Sequence, residues 1–171
     1  MDLDSLLRAL EATNFATQIR ENDSLFPWIE SFHVLAITLV VGSISIVDLR
    51  LLGWASRERS VGRVTASVLP CTWAAFALAV ITGGLLFSSN AVTYIHNTYY
   101  LSKFTFMGLA GLNMLVFHLH FNRGVESWGT APTPPTAARV IGGLSLLFWI
   151  GVIACGRWVG YSLTPLPGTT G

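Results

Sequence analysis

Four long apolar runs constrain the fold of this chain more than any other feature of its sequence. They cover residues 26–53, 67–89, 99–121 and 138–161. The hydrocarbon core of a bilayer is about 30 Å thick, so a helix needs roughly 20 mostly apolar residues to cross it. Backbone amide and carbonyl groups in lipid must be satisfied within their own segment, which favours helices. The runs therefore predict an all-α integral membrane four-helix bundle that forms a single domain over residues 1–171.

The composition supports the same class of protein. Only 11% of the 171 residues are charged, against about 25% in a soluble globular domain. The formal net charge is +1, so the chain has neither the charge excess of a disordered protein nor the basic face of a nucleic-acid binder. We expect the lipid bilayer as its surroundings and no nucleic-acid partner. A homo-oligomer is compatible with the sequence, which leaves the oligomeric state open.

The distribution of arginine predicts how the chain is oriented. The regions after the first and third runs contain Arg50, Arg57, Arg59, Arg63, Arg123 and Arg139, whereas the N-terminal segment is mainly acidic. Cytoplasmic loops of membrane proteins carry an excess of Lys and Arg. We therefore expect these connections in the cytoplasm and both termini outside, in a bacterial inner (plasma) membrane.

The segment before the first run, residues 1–22, has a helical pattern of its own. Its apolar residues recur at roughly helical spacing and are Leu3, Leu6, Leu7, Leu10 and Phe15. Such a pattern in a short polar segment predicts an amphipathic helix that lies in the membrane interface. We expect this helix on the outer membrane surface.

Four ionisable side chains inside the runs share one predicted depth. Glu30 and His33 lie in the first run, Lys103 in the third and Arg157 in the fourth, each four to seven residues from the outer edge. At 1.5 Å per residue they form a layer roughly 5–10 Å below the outer surface, which we call the outer polar layer. Ionisable groups inside a membrane are costly, so this layer is the candidate functional site.

Several readings of these side chains are open. A neutral His33 could bind haem iron or copper, or it could be a core histidine bonded to Glu30 or to a backbone carbonyl. Lys103 could extend towards the headgroups or take part in a buried pair or carboxylate-binding pocket. Together with Arg157 it could hold the propionates of a tetrapyrrole or another anion. His118 is a second candidate metal ligand, but roughly 18 Å separates its depth from that of His33, so the two make a poor bis-histidine site.

Asp48 and Arg50 form a second polar pair, at the cytoplasmic end of the first run. Charged residues at this depth usually pair with one another or contact lipid headgroups. We expect both kinds of contact here.

Several segments resemble a known group of proteins. They are Phe32-His33-Val34-Leu35-Ala36, Asp48-Leu49-Arg50-Leu51-Leu52, Thr82-Gly83-Gly84-Leu85-Leu86-Phe87, Lys103-Phe104, and Asn113 followed by His118. The pattern resembles an uncharacterised group of bacterial four-helix membrane proteins and, more distantly, the HemJ-type protoporphyrinogen oxidases and the CopD-type copper proteins. In the HemJ type, a histidine early in the first helix and a lysine opening the third are the functional pair, and haem b is bound. The resemblance implies those roles for His33 and Lys103.

The predicted function is that of a cytochrome b-like protein that binds haem b. His33 would be an axial ligand of the iron, and Lys103 and Arg157 would neutralise the propionates. Glu30 would orient His33 by a hydrogen bond to its second ring nitrogen. We expect electron transfer between quinone and a periplasmic or partner redox centre.

Three alternatives use the same residues differently. The first is a HemJ-like protoporphyrinogen oxidase, so whether the chain is an enzyme stays open. The second is a copper-handling membrane protein with His33, His96 and Met107 as ligands. The third is a cofactor-free accessory subunit of a membrane complex, in which the outer polar layer only fixes the packing of the helices.

Overall fold

The computed structural model describes residues 2–56, 58–120, 125, 131 and 133–163, and over these residues the chain is helical without strands. Its helices are α1 (Leu3–Glu11), α2 (Asn14–Glu21), α3 (Leu25–Leu51), α4 (Val61–Ser89), α5 (Ala91–Ile95), α6 (Thr98–His120) and α7 (Thr136–Leu163). Four of them, α3, α4, α6 and α7, are long and apolar enough to cross a membrane. The all-α prediction with four spans is confirmed, and the chain is a multi-pass membrane protein. Arg57, Phe121 and Arg123 lie outside the described residues.

Helix α4 begins at Val61, before the apolar run that starts at residue 67. The Ser60 hydroxyl accepts a hydrogen bond of 3.3 Å from the Arg63 amide, which satisfies one of the free donors at the helix N-terminus. Val61 is buried against Leu51 and Ala138. Capping and packing, rather than hydropathy, therefore fix where this helix starts.

The N-terminal segment forms two short helices instead of one. The break falls at Thr13, whose hydroxyl accepts a hydrogen bond from the Ala16 amide and so caps α2. Ile19 of α2 packs in a small core with Ile29 of α3 and Leu86 of α4. Helix α2 is therefore anchored to the bundle by apolar contacts.

Two polar contacts hold this segment over the junction between α4 and α5. Arg20 donates to the Ser89 carbonyl at 3.1 Å, and Glu11 accepts from the Val92 amide at 2.9 Å. The apolar side chains of the segment that remain exposed are Leu3, Leu6, Leu10 and Phe15. Its location in the outer membrane interface stays a prediction.

The spanning helices form two antiparallel pairs. Helix α3 packs along α4, α6 packs along α7, and the pairs are joined mainly by contacts between α3 and α7. At one end of the bundle α4 and α6 are bridged by aromatic rings, with Phe87 stacked on Tyr100 at a centroid distance of 5.9 Å. At the opposite end, Gly142 of α7 lies so close to α3 that a Cβ there would be 2.9 Å from the Leu51 Cβ. Small residues of this kind permit close approach of helices in membranes.

The polar pair at the end of α3 does not form the expected contact. Arg50 is fully buried, and it donates to the carbonyls of Arg59 at 2.8 Å and Ala131 at 3.1 Å. Asp48 is hydrogen-bonded to Ser145 of α7, and its Oδ2 atom has no hydrogen-bond partner in the described part of the chain. No ion pair joins Asp48 to Arg50, so that expectation is wrong. The arginine instead fastens two connections to the end of α3.

Candidate functional site

The structure divides the outer polar layer into two parts. His33 of α3 and Lys103 of α6 lie near each other, across the two helix pairs. Glu30 of α3 and Arg157 of α7 line a groove between those two helices. The four side chains therefore do not form one cluster: His33 is near Lys103, and Glu30 and Arg157 share the groove.

His33 is half-buried and lies against α4. Its Nδ1 atom is 3.0 Å from the Thr82 hydroxyl oxygen. The same hydroxyl lies 2.7 Å from the Leu78 carbonyl, which can only accept, so the hydroxyl proton is donated there. A backbone hydrogen bond also joins the ring to Ala79 of α4. With the hydroxyl proton used at Leu78, the bond to Thr82 assigns the ring proton to Nδ1 and the lone pair to Nε2. This is the tautomer in which an imidazole binds a metal through Nε2 while its other nitrogen is held by a neighbour.

A glycine makes room for this ring. A Cβ at Gly83 would lie 2.9 Å from Cε1 of His33, closer than side-chain carbons approach one another. The imidazole therefore occupies the space that any other residue at position 83 would fill. Thr82 and Gly83 together form a fitted seat for His33, which we call the histidine seat.

Sequence reasoning left a backbone carbonyl of another helix open as a partner of His33, and the backbone bond to Ala79 of α4 agrees with that alternative. It missed the histidine seat, because the predicted function assigned the orientation of His33 to Glu30. No hydrogen bond joins Glu30 to His33, and Thr82 has that role. The signal in the sequence is a hydroxyl residue followed by glycine inside an otherwise apolar run. It could be connected to His33 only once the pairing of α3 with α4 was known.

Lys103 lies near the beginning of α6 and is half-buried. Its aliphatic stem packs beside Gly156 of α7, where a Cβ would be 3.9 Å from the Lys103 Cδ. Its charge acts on the His33 imidazole. Over the residues that the structure describes, no carboxylate forms an ion pair with this ammonium. The ammonium is therefore available to an anionic group beside His33.

The groove between α3 and α7 has a volume of about 480 Å³ and is lined by Glu30, Ser31, Val34, Leu35, Thr38 and Arg157. Arg157 donates to the Tyr161 hydroxyl at 3.2 Å, and its guanidinium lies 4.9 Å from the centre of the Tyr161 ring. The groove thus has two opposite charges and an apolar wall along α3.

Tyr94 of α5 connects the aromatic cluster with the outer polar layer. Its ring lies 5.2 Å from that of Tyr100 and 6.4 Å from that of Phe87. Burial raises the pKa of the Tyr94 phenol, and the carboxylate of Glu30 raises this pKa further. Since both causes oppose loss of the proton, Tyr94 is neutral at physiological pH.

The other histidines do not join this site. His118 is exposed near the opposite end of α6, with Nδ1 3.2 Å from the Met114 carbonyl of its own helix. His96 is exposed and lies 3.9 Å from the Asp4 carboxylate. The structure does not bring His118 to His33. Within the described ranges, no group of three or more His, Cys, Asp or Glu side chains is placed to hold a metal ion.

Comparison with known proteins gives one match. The model of a family described as "Family of unknown function (DUF6644)" matches residues 24–162. This range includes the histidine seat, Lys103 and both charged residues of the groove, whereas α1 and α2 precede it. No curated protein and no solved structure matches the chain.

Proposed function

The chain belongs to the DUF6644 family, whose function is unknown, and we propose that it is a membrane redox protein that binds haem b. The observation that carries the proposal is the hydrogen bond of 3.0 Å between His33 and Thr82. It leaves Nε2 of a half-buried imidazole unprotonated, and this atom is a usual ligand of haem iron. The proposed role is electron transfer between membrane quinone and a redox centre on the outer side.

His33 and Lys103 supply a ligand and a counter-charge for one haem held by one histidine. Thr82 fixes the tautomer and rotation of His33, as neighbours of metal-binding histidines commonly do. Gly83 has no side chain, and the imidazole ring occupies the space that a Cβ at this position would need. Lys103 supplies a positive charge beside His33 that an anionic propionate would neutralise. When bound, the haem supplies one-electron chemistry, while the chain supplies the ligand, the counter-charge and an apolar surrounding.

This proposal revises the roles first expected for two residues. Glu30 does not orient His33, because Thr82 makes that bond. Arg157 lines the groove with Glu30 and is bonded to Tyr161. Lys103 is therefore the cation that we assign to a propionate.

We also propose that the chain lies in a bacterial inner membrane with both termini outside. The support is the set of arginines in and beside the connections that follow α3 and precede α7. Arg59 in the first connection, Arg63 in the first turn of α4 and Arg139 in the first turn of α7 are described and exposed. Positive charge of this kind is retained on the cytoplasmic side.

A reduced-minus-oxidised absorption spectrum of the full chain, purified in detergent, tests the haem proposal. Wild type should show b-type haem bands, and His33→Ala should lose them while keeping its helical circular dichroism. His118→Ala is the matched control, because it removes an exposed histidine at the other end of the bundle, and it should keep the bands. Wild-type protein free of haem bands, iron and porphyrin would refute the proposal. Loss of the bands in His118→Ala would contradict a site with one histidine.

The proximity of His33 and Lys103 favours a second candidate, the oxidation of protoporphyrinogen. In this case a tetrapyrrole would occupy the same place as a substrate. Expression in a strain that lacks this activity tests it: wild type should restore growth, and Lys103→Ala should not. An expressed wild-type chain that fails to restore growth would contradict this candidate and leave the haem proposal standing.

A further inference from the structure

We propose that the groove between α3 and α7 binds the headgroup of one zwitterionic phospholipid, phosphatidylethanolamine. Glu30 and Arg157 would hold the two ends of the headgroup, and an acyl chain would lie along α3. This inference does not depend on haem binding, because neither His33 nor Lys103 lines the groove.

Two opposite charges face the groove without neutralising each other. Glu30 and Arg157 both line it, yet the structure gives no ion pair between them. Arg157 donates to Tyr161, which is uncharged, and Glu30 has no hydrogen bond to another described side chain. A zwitterion of the right length is the ligand that satisfies both charges at once.

The depth of these charges makes a counter-charge necessary. Glu30 lies five residues inside the beginning of α3 at Leu25, and Arg157 lies five residues before Ser162 near the end of α7. At 1.5 Å per residue, both are about 7–8 Å inside the ends of these helices. Charged groups at such depth are costly unless they are paired or hydrated. The lateral opening of the groove gives a lipid headgroup access to them.

The remaining wall of the groove suits an acyl chain. Val34, Leu35 and Thr38 follow Glu30 along α3 towards the middle of the helix, and Val34 and Leu35 are 57% and 51% exposed. The Thr38 hydroxyl donates to the Val34 carbonyl at 2.8 Å, so its proton is already used within the helix. The groove is therefore charged at its outer end and apolar below it, which matches an amphiphile with its head at the outer surface.

The charges of Glu30 and Arg157 favour some membrane lipids over others. The phosphate of phosphatidylethanolamine can accept charge-assisted hydrogen bonds from Arg157, and its ammonium can donate to Glu30. Phosphatidylglycerol carries the same phosphate for Arg157, but its headgroup ends in neutral hydroxyls and so brings no cation to Glu30. A neutral quinone would leave both charges without a counter-charge. Charge complementarity thus favours the zwitterionic lipid.

Lipid retention by the full chain tests the inference. The purified protein is inserted into nanodiscs of equimolar phosphatidylethanolamine and phosphatidylglycerol, extracted again in detergent, and its bound lipids are quantified by mass spectrometry. Wild type should retain phosphatidylethanolamine in preference to phosphatidylglycerol. Glu30→Gln should lower this preference about tenfold or more, the factor expected for loss of one charge-assisted hydrogen bond. Arg157→Gln removes the partner of the phosphate, which both lipids carry, so it should lower the total amount of retained phospholipid by a similar factor.

Two kinds of control keep the result interpretable. Glu58→Gln changes an exposed charge in the connection between α3 and α4, Arg63→Gln changes one in the first turn of α4, and both variants should retain the preference. Val34→Trp keeps both charges but fills the apolar wall, and it should lose the bound lipid. Circular dichroism and gel filtration verify that each variant is folded.

Equal retention of the two lipids by wild type, preferential retention of phosphatidylglycerol, an unchanged preference in Glu30→Gln, or an unchanged amount of retained phospholipid in Arg157→Gln would overturn the inference. His33→Ala should retain the lipid as wild type does. Failure of the haem proposal and failure of the lipid proposal are therefore seen in different variants.

Discussion

Replacing Gly83 by alanine tests the histidine seat directly, because the change adds one methyl group at a known place. The new carbon would lie 2.9 Å from Cε1 of His33 and 3.4 Å from Nδ1. Carbon atoms in contact prefer about 3.5–4.0 Å, so the imidazole has to withdraw by about 0.6 Å or more. A shift of that size disturbs the bond of 3.0 Å to Thr82, since hydrogen bonds in proteins are confined to about 2.7–3.2 Å.

The energetic cost has two contributions. Overpacking a filled site costs about 1–3 kcal/mol, and loss of a neutral hydrogen bond costs about 0.5–1.5 kcal/mol. The sum is about 1.5–4.5 kcal/mol before the gain of about 0.5–1 kcal/mol that alanine brings over glycine inside a helix. It corresponds to a Tm about 3–18 °C below that of a glycine-to-alanine variant without this contact, for a chain of this length. If the haem proposal is correct, the variant should also retain less haem per chain.

The neighbouring glycine provides a matched control. A Cβ at Gly84 has no atom within 4 Å, and both positions lie in the same turn of α4. Replacing either glycine brings the same gain in helix propensity, so the difference between Gly83→Ala and Gly84→Ala isolates the contact with His33. Circular dichroism melting in one detergent, at one scan rate, measures it. A Gly83→Ala protein as stable as Gly84→Ala would refute the placement of the ring.

Three further predictions concern other contacts of the bundle. Gly142→Ala should destabilise the chain by about 1–3 kcal/mol, because its Cβ would meet a backbone carbonyl oxygen of α3 at 3.0 Å. Gly143→Ala should not destabilise it, and melting curves of the two variants measure the difference. Arg50→Gln should cost about 1.5–3 kcal/mol for each charge-assisted hydrogen bond that the fully buried guanidinium loses. Melting against a variant of an exposed arginine measures this cost, and equal stability would contradict the role of the guanidinium. Glu30→Gln should lower the pKa of the Tyr94 phenol, because it removes the negative charge that opposes phenolate formation. Ultraviolet titration against a Tyr94→Phe reference measures this shift, and an unchanged titration curve would contradict the proximity.

The fold was largely predictable because the bilayer imposes it. Four apolar runs of sufficient length have to be helical in lipid, and the structure gives helices at all four. The boundaries were less predictable where they depend on capping and packing. Helix α4 begins at Ser60–Val61 because a hydroxyl caps it, and the N-terminal segment divides at Thr13 for the same reason.

The candidate site was only half predictable. The rise per residue along a helix placed Glu30, His33, Lys103 and Arg157 at one depth without knowledge of any contact. It could not show that Thr82, rather than Glu30, holds His33, since that bond joins residues 49 positions apart. For the same reason the sequence could not show that Arg50 is buried among carbonyls of the connections instead of pairing with Asp48.

The sequence by itself determined that the chain spans the membrane with four helices, and how deep each ionisable side chain lies, because hydropathy and helical rise are local properties. The tertiary structure decided which side chains meet, because the rotation of each helix about its axis is set by packing against its neighbours. That rotation turns His33 into the seat made by Thr82 and Gly83, and it leaves Glu30 and Arg157 facing one groove.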